Sequence, residues 1–239
     1  AVFIYRRVYD QLVDSVAYPN LPVRMVGFLP GITTPGGITH QAIEDVAMMR
    51  AVPNMTILEV GDATEIESVL DVTLDISGPI YLRMLRGEVP RLFAKSEAFK
   101  FNQARVLSQG TDITLFSSGI CTEEAMRAMA ILKQRGVSIQ HMHISTLKPF
   151  TDPSVLEATF QARLGVITME NHTIVGGLGS ALAEVMADNG IGKRLKRIGL
   201  KDTFAHGASR PYLMREYELD ALALVHAVEE MVRQDLDIT

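Results

Sequence analysis

Strand-like and helix-like segments alternate along almost the whole chain, and this alternation narrows the available folds more than any other feature of the sequence. Apolar runs suited to strands recur at 23–28, 56–60, 79–84, 113–116, 139–144, 165–169 and 195–200. Between them lie segments with apolar residues at helical spacing, over 41–50, 62–74, 122–133, 153–162, 177–188 and 220–233. A series of this kind builds mostly parallel sheets covered by helices on both faces. Ahead of the first strand, Phe3 to Ala17 carries Val8, Leu12 and Val16 among Arg7, Asp10 and Asp14, which predicts one opening helix. Asp62-Ala63-Thr64-Glu65 has the spacing of a capping box for the helix that follows it. The expected fold class is α/β.

The alternation lapses only between Leu92 and Val106, a polar stretch containing Lys and Phe. It reads as a linker, part of which adds a strand, between two parallel-sheet βα units at 1–100 and 101–239. A chain of 239 residues holds one large domain or two small ones, and 47% hydrophobic residues can fill their cores. Neither an internal repeat nor a low-complexity segment interrupts it. With a net charge of −5 and no Lys/Arg cluster interleaved with aromatics, nucleic-acid binding is not expected. No apolar run reaches the roughly 18–20 residues that span a bilayer, so no membrane partner is expected either. The one cysteine, Cys121, excludes an internal disulfide and a Cys-rich metal site, which fits a cytoplasmic protein. The chain opens at Ala1 inside a patterned segment, as a fragment would, and without the basic and apolar regions of an intact signal peptide.

One stretch is built like a site. Gly36-Gly37-Ile38 leads into Thr39-His40-Gln41, then into a helix that ends near Arg50, before Pro53-Asn54. Glycines let backbone approach a ligand closely, a helix start offers unpaired N–H groups, and a histidine there donates, accepts or shuttles a proton near neutral pH. Glu44 and Asp45 read as a charge pair and solvated face at that helix start.

Thr39-His40-Gln41 with Glu44-Asp45, Ala47, Arg50-Ala51 and Pro53-Asn54 resembles the signature of transketolase-type pyrimidine domains. Arg7-Val8-Tyr9-Asp10-Gln11 is similar to the helix that precedes that signature, and Gly78-Pro79-Ile80-Tyr81-Leu82-Arg83 through Arg86-Gly87 to the strand that follows it. In the second half, Asp112-Ile113-Thr114-Leu115, Leu147-Lys148-Pro149-Phe150, Glu170-Asn171-His172 and Gly176-Gly177-Leu178-Gly179-Ser180-Ala181 resemble the family's C-terminal domain. The resemblance covers essentially the whole chain. It implies the C-terminal half or subunit of a thiamine-diphosphate-dependent transketolase, which moves a two-carbon ketol unit between sugars or sugar phosphates. Alternatives are a deoxyxylulose-phosphate-synthase-like carboligase and a non-catalytic assembly subunit of such an enzyme.

The same resemblance implies roles for particular residues. Phe3 matches an aromatic that walls the aminopyrimidine, and reads equally as the apolar end of a core helix. Arg6 falls where a ring is common and would stack on the flat heterocycle; a solvated arginine is the other reading. His40 would contact donor hydroxyls or the reacting oxygen as the catalytic proton-transfer group. Arg83 and Arg86 match the region that holds a sugar phosphate, or are ordinary rim charges. The Gly-Asp-Gly…Asn pattern that binds magnesium and diphosphate is absent, so this chain supplies no metal ligand, and an N-terminal partner half would bind that end of the cofactor. The carboxylate that serves the aminopyrimidine would lie upstream of Ala1. The expected assembly is a dimer or heterotetramer, inactive without the partner.

Two departures from the family pattern bear on specificity. Thr34-Pro35-Gly36-Gly37 replaces the usual acidic loop, and Phe28-Leu29-Pro30 stands where a histidine is usual. Losing a buried hydrogen-bonding group changes discrimination by several kcal/mol, on the order of a lost partner. Elsewhere, Gly177-Leu178-Gly179 lacks the third glycine of a dinucleotide loop and reads as close helix packing. His141 and His143 share one strand face without an obvious acidic companion, and His172 reads either as bordering the two units or, more simply, as a structural hydrogen-bonding group. His206 and His226 carry no motif.

Overall fold

The computed structural model describes residues 1–236. Among the described residues, nine strands form two sheets. They are β1 (Arg24–Phe28), β2 (Thr56–Glu59), β3 (Ile80–Met84), β4 (Arg105–Ser108), β5 (Ile113–Ser117), β6 (Ile139–His143), β7 (Thr146–Lys148), β8 (Gly165–Thr173) and β9 (Leu195–Leu200). The helices are α1 (Val2–Tyr5), α2 (Tyr9–Leu12), α3 (Asp45–Arg50), α4 (Ala63–Thr73), α5 (Cys121–Gln134), α6 (Pro153–Gln161), α7 (Leu178–Asp188), α8 (Arg210–Glu216) and α9 (Ala221–Leu236).

The first sheet has the order β1-β3-β2-β7 and the second β4-β6-β5-β8-β9. All pairings are parallel except those of β7 with β2 and of β4 with β6. Strands β2, β3 and β5 are buried along their whole length, as parallel strands between helix layers require, and they are apolar except for Thr, Ser, Glu59, Tyr81 and Arg83. One strand ignores any division near residue 100: β7 lies at 146–148 in sequence yet completes the first sheet. The core is likewise shared, since Val46, Met49 and Ile57 belong to the same buried cluster as Phe116, Met142, Val166 and Leu178.

Several expectations need correction. The opening helix is broken at Val8, whose backbone leaves helical geometry, and it widens into a π-helical turn over Val13–Ala17. Two β-branched residues in that turn favour the disruption. The helix expected from residue 41 begins at Asp45, because the glycine-rich stretch forms two single 3₁₀ turns, Gly31–Thr33 and Gly37–Thr39. Strand β8 runs four residues past the apolar segment, through Glu170, Asn171, His172 and Thr173. Asp62 does cap α4, accepting the Glu65 N–H at 2.8 Å, and its other oxygen takes the N–H groups of Leu92 and Phe93 in the linker.

Candidate active site

The chain leaves β1 through Leu29, whose φ of 55° is unusual for a branched residue followed by proline. From there the loop runs through its two tight turns to His40. The His40 ring lies over Gly36, where an added Cβ would come within 2.9 Å of its side chain, so a larger residue there would displace it. His40 Nδ1 is 2.9 Å from the Thr39 hydroxyl. The ring meets Phe3 edge-to-face, with centroids 5.3 Å apart at 85°. The Arg7 guanidinium sits 4.6 Å from the other ring partner, Phe3, as a cation–π contact. Phe3 and Ile38 are 45% and 44% exposed, and His40 is exposed as well. No described residue hydrogen-bonds His40 Nε2. The structure thus brings together Phe3 and His40 from segments almost forty residues apart, and leaves one imidazole nitrogen without a hydrogen-bond partner among the described residues.

Arg6 has a different setting from the one expected. It forms an ion pair with Glu44 at 2.5 Å and donates to the Ile38 carbonyl at 3.0 Å, so it ties α1 to the His40 loop rather than offering its donors to a cofactor. Glu44 and Asp45 are not a solvated face. Asp45 is fully buried, accepting from the Tyr81 hydroxyl at 2.7 Å and from Arg83 Nε at 2.9 Å.

Arg83 is the clearest correction. Its side chain has no exposed surface, and it pairs with both Asp45 and Glu59 while its remaining donors reach the carbonyls of Ala42 and Asn171 at 3.2 and 3.1 Å. A guanidinium with every direction taken is not a substrate contact. It is buried because β3 is an inner strand of the sheet, paired on both sides by β1 and β2. Arg86, just past the end of β3, is exposed.

Sequence reasoning singled out His141, His143 and Glu170 but missed the groups they bind. His143 Nε2 donates to the Glu65 carboxylate at 3.0 Å, and its Nδ1 lies 2.6 Å from Thr122 Oγ1, so it does have an acidic companion. Burial pushes the Glu65 carboxyl up, but His143 beside it and the Gly61 N–H outweigh this and hold it below the usual range. His141 bonds Ser117 at 2.8 Å, and burial with His143 nearby takes its pKa down to about 3. Glu170 accepts the N–H groups of Leu178 and Gly179 at 2.7 and 2.9 Å, capping α7; burial nevertheless raises it to about 7. An added Cβ at Gly177 would come within 1.9 Å of that carboxylate, which is why the glycine pair follows a strand here. Among the described residues no group of His, Cys, Asp or Glu is placed to hold a metal ion, and no helix is long and apolar enough to cross a membrane.

Residues 1–91 match the transketolase pyrimidine binding domain and residues 102–223 the transketolase C-terminal domain. An uncharacterized transketolase family protein of Sinorhizobium fredii is 37% identical over 233 residues, covering 96% of this chain and 67% of that protein. The 6-deoxy-6-sulfo-D-fructose transketolase subunit of a Clostridium species is 36% identical, covering 97% of this chain and 72% of the relative. A solved split-gene transketolase, described as an inactive beta4 tetramer, is 31% identical, with a TM-score of 0.86 over 97% of this chain and 73% of that one.

Proposed function

The chain belongs to the transketolase family, and on that premise we propose that it is the C-terminal half of a thiamine-diphosphate-dependent transketolase. It would transfer a two-carbon ketol unit between sugars or sugar phosphates, working with an N-terminal half that binds the diphosphate and its magnesium. The observation that carries this reading is the Phe3–His40 contact: an exposed aromatic beside an imidazole whose Nδ1 is engaged locally and whose Nε2 is not.

These residues fit one part of a cofactor site. Phe3 offers an apolar wall to the aminopyrimidine, and His40 offers a donor or acceptor at the reacting oxygen. The other part is less well matched: Glu44 Oε1 pairs with Arg6 and Asp45 Oδ2 with Arg83, and the oxygens they leave without a hydrogen bond, Glu44 Oε2 and Asp45 Oδ1, are buried inside the chain. When bound, thiamine diphosphate supplies the nucleophilic carbon and the electron sink. This chain's own contribution is then to exclude water with Phe3 and Ile38, and to hold or move a proton at His40 Nε2. Arg86 is the proposed contact for a sugar phosphate; Arg83 is not. Names of relatives that describe a subunit and a four-copy assembly support the expectation of a partner and of an oligomer.

The test is reconstitution. Mixed with an N-terminal transketolase half, thiamine diphosphate and magnesium, the chain should transfer ketol units between sugar phosphates, and neither half should do so alone. His40→Ala should lower kcat by about 10²–10⁴ without moving Tm. Association without turnover would refute the catalytic reading in favour of an assembly subunit, which the acid-free Thr34-Pro35-Gly36-Gly37 loop otherwise supports. Turnover by this chain alone would refute the need for a partner.

A further inference from the structure

The segment that carries His40 is held by the second half of the chain as well as by α1. Asn171 is fully buried in the polar extension of β8. Its Oδ1 accepts the Ile32 N–H at 3.0 Å and its Nδ2 donates to the Pro30 carbonyl at 3.0 Å, so one side-chain amide closes on two backbone groups of the same turn. The fit leaves no room: an added Cβ at Gly31 would lie 2.1 Å from Asn171 Oδ1.

The neighbouring contacts act on the same stretch. The Thr173 N–H donates to the Ile43 carbonyl at 2.8 Å. His172 Nε2 accepts the Ala47 N–H at 3.4 Å, in the first turn of α3, and its Nδ1 lies 2.6 Å from the Thr173 carbonyl. This is the neutral imidazole, and burial takes its pKa down to about 4. At the far end of α3, Lys148 Nζ donates to the carbonyls of Arg50 and Val52 at 2.9 and 2.6 Å, and Arg50 reaches the Gly176 carbonyl at 3.0 Å. Beside His40 itself, Gln41 Nε2 donates to the His206 carbonyl at 3.1 Å.

We infer that Asn171 is a positioning residue for the site: through its two hydrogen bonds to the Pro30–Ile32 turn it fixes the loop that delivers His40. A buried amide matched to one donor and one acceptor specifies a single loop placement, because any other leaves polar groups unpaired in the interior. The second unit therefore acts as the template on which the first unit's ligand-facing loop is set. The relevance of that placement to catalysis rests on the proposed function; the clamp itself does not.

Hydrogen exchange read by mass spectrometry on the full chain tests the clamp. In Asn171→Ala, amides 31–41 should exchange roughly tenfold faster or more, while those of β5 and α5 keep their protection. Asn171→Asp can donate to the Pro30 carbonyl only when protonated, so relative to wild type at the same pH it should open these amides more at pH 8 than at pH 5. Unchanged exchange at 31–41, or a rise shared equally by β5 and α5, would overturn the assignment. In the reconstituted transfer assay, Asn171→Ala should lower kcat about tenfold with KM changed by less than about threefold, the mark of a misplaced group rather than lost binding. A wild-type kcat despite the faster exchange would also overturn it. If wild type shows no transfer at all, the proposed function fails, and the exchange experiment still decides the clamp.

Discussion

The two arginines of the Arg83–Arg86 segment should behave as opposites. In Arg83→Met, the carboxylates of Asp45 and Glu59, with side-chain exposures of 0% and 3%, lose the one cation between them. Breaking a buried ion pair from one side costs about 3–5 kcal/mol, because the stranded charge keeps its desolvation penalty. At about 2–4 °C per kcal/mol for a chain of this size, Tm should fall by about 6–20 °C. The loss should also depend on pH. A stranded carboxylate has a folded pKa above its unfolded value, so the folded state binds more protons, and stability declines as pH rises through the interval between the two. Calorimetry at pH 5 and pH 8 should therefore find the larger deficit at pH 8. Adding Glu59→Met to Arg83→Met should recover part of the loss, since one stranded charge is gone. Arg86→Met, at an exposed position, should stay within about 0.5 kcal/mol of wild type, while raising KM for a phosphorylated substrate. An Arg83→Met protein that melts with wild type, equally at both pH values, would refute the argument that the pair is desolvated and structural.

Two further outcomes follow from the same geometry. Glu170, raised from 4.5 to about 7, binds more protons folded than unfolded, so its contribution falls as pH rises from about 4.5 to 7 and is constant above. Glu170→Gln should flatten the stability profile in that window, as followed by urea unfolding across pH; an unchanged slope would dismiss Glu170 as its source. Gly31→Ala places a methyl against Asn171 at a backbone φ of +57°, and should destabilise by about 1–3 kcal/mol. Circular-dichroism melting that leaves Tm unmoved would show that the turn has more room than described.

Much of the fold can be read from the sequence because hydrophobic period and length are local properties. The segments at 113–116, 195–200 and 153–162 meet this condition, and their strands and helix stand where the pattern puts them. The short elements do not: β7 has three residues, β4 has four with polar ends, and α8 starts at an Arg-Pro pair that reads as loop. The site divides in the same way. Thr39-His40-Gln41 is a local motif, and Gly36 beneath the ring is adjacent to it. Arg83 and Asp45 look like surface charges because each is judged beside its neighbours in sequence, whereas the partners that bury them are 38 residues apart. Glu65 and His143 are separated by 78 residues, and Asn171 from Ile32 by 139. Nothing in periodicity reports such pairs.

The return of β7 to the first sheet has consequences for how this protein is made. A ribosome must release residue 148 before the edge of β2 can be covered, so the first sheet stays incomplete while most of the second unit's early strands emerge. Until then β2 presents an apolar strand with an open edge, the kind of surface that invites pairing with another chain. The two family domains are therefore poor cassettes for recombination. A gene fusion or truncation cut near residue 100 would deliver a first module lacking a strand, and a second carrying a strand with no sheet to join.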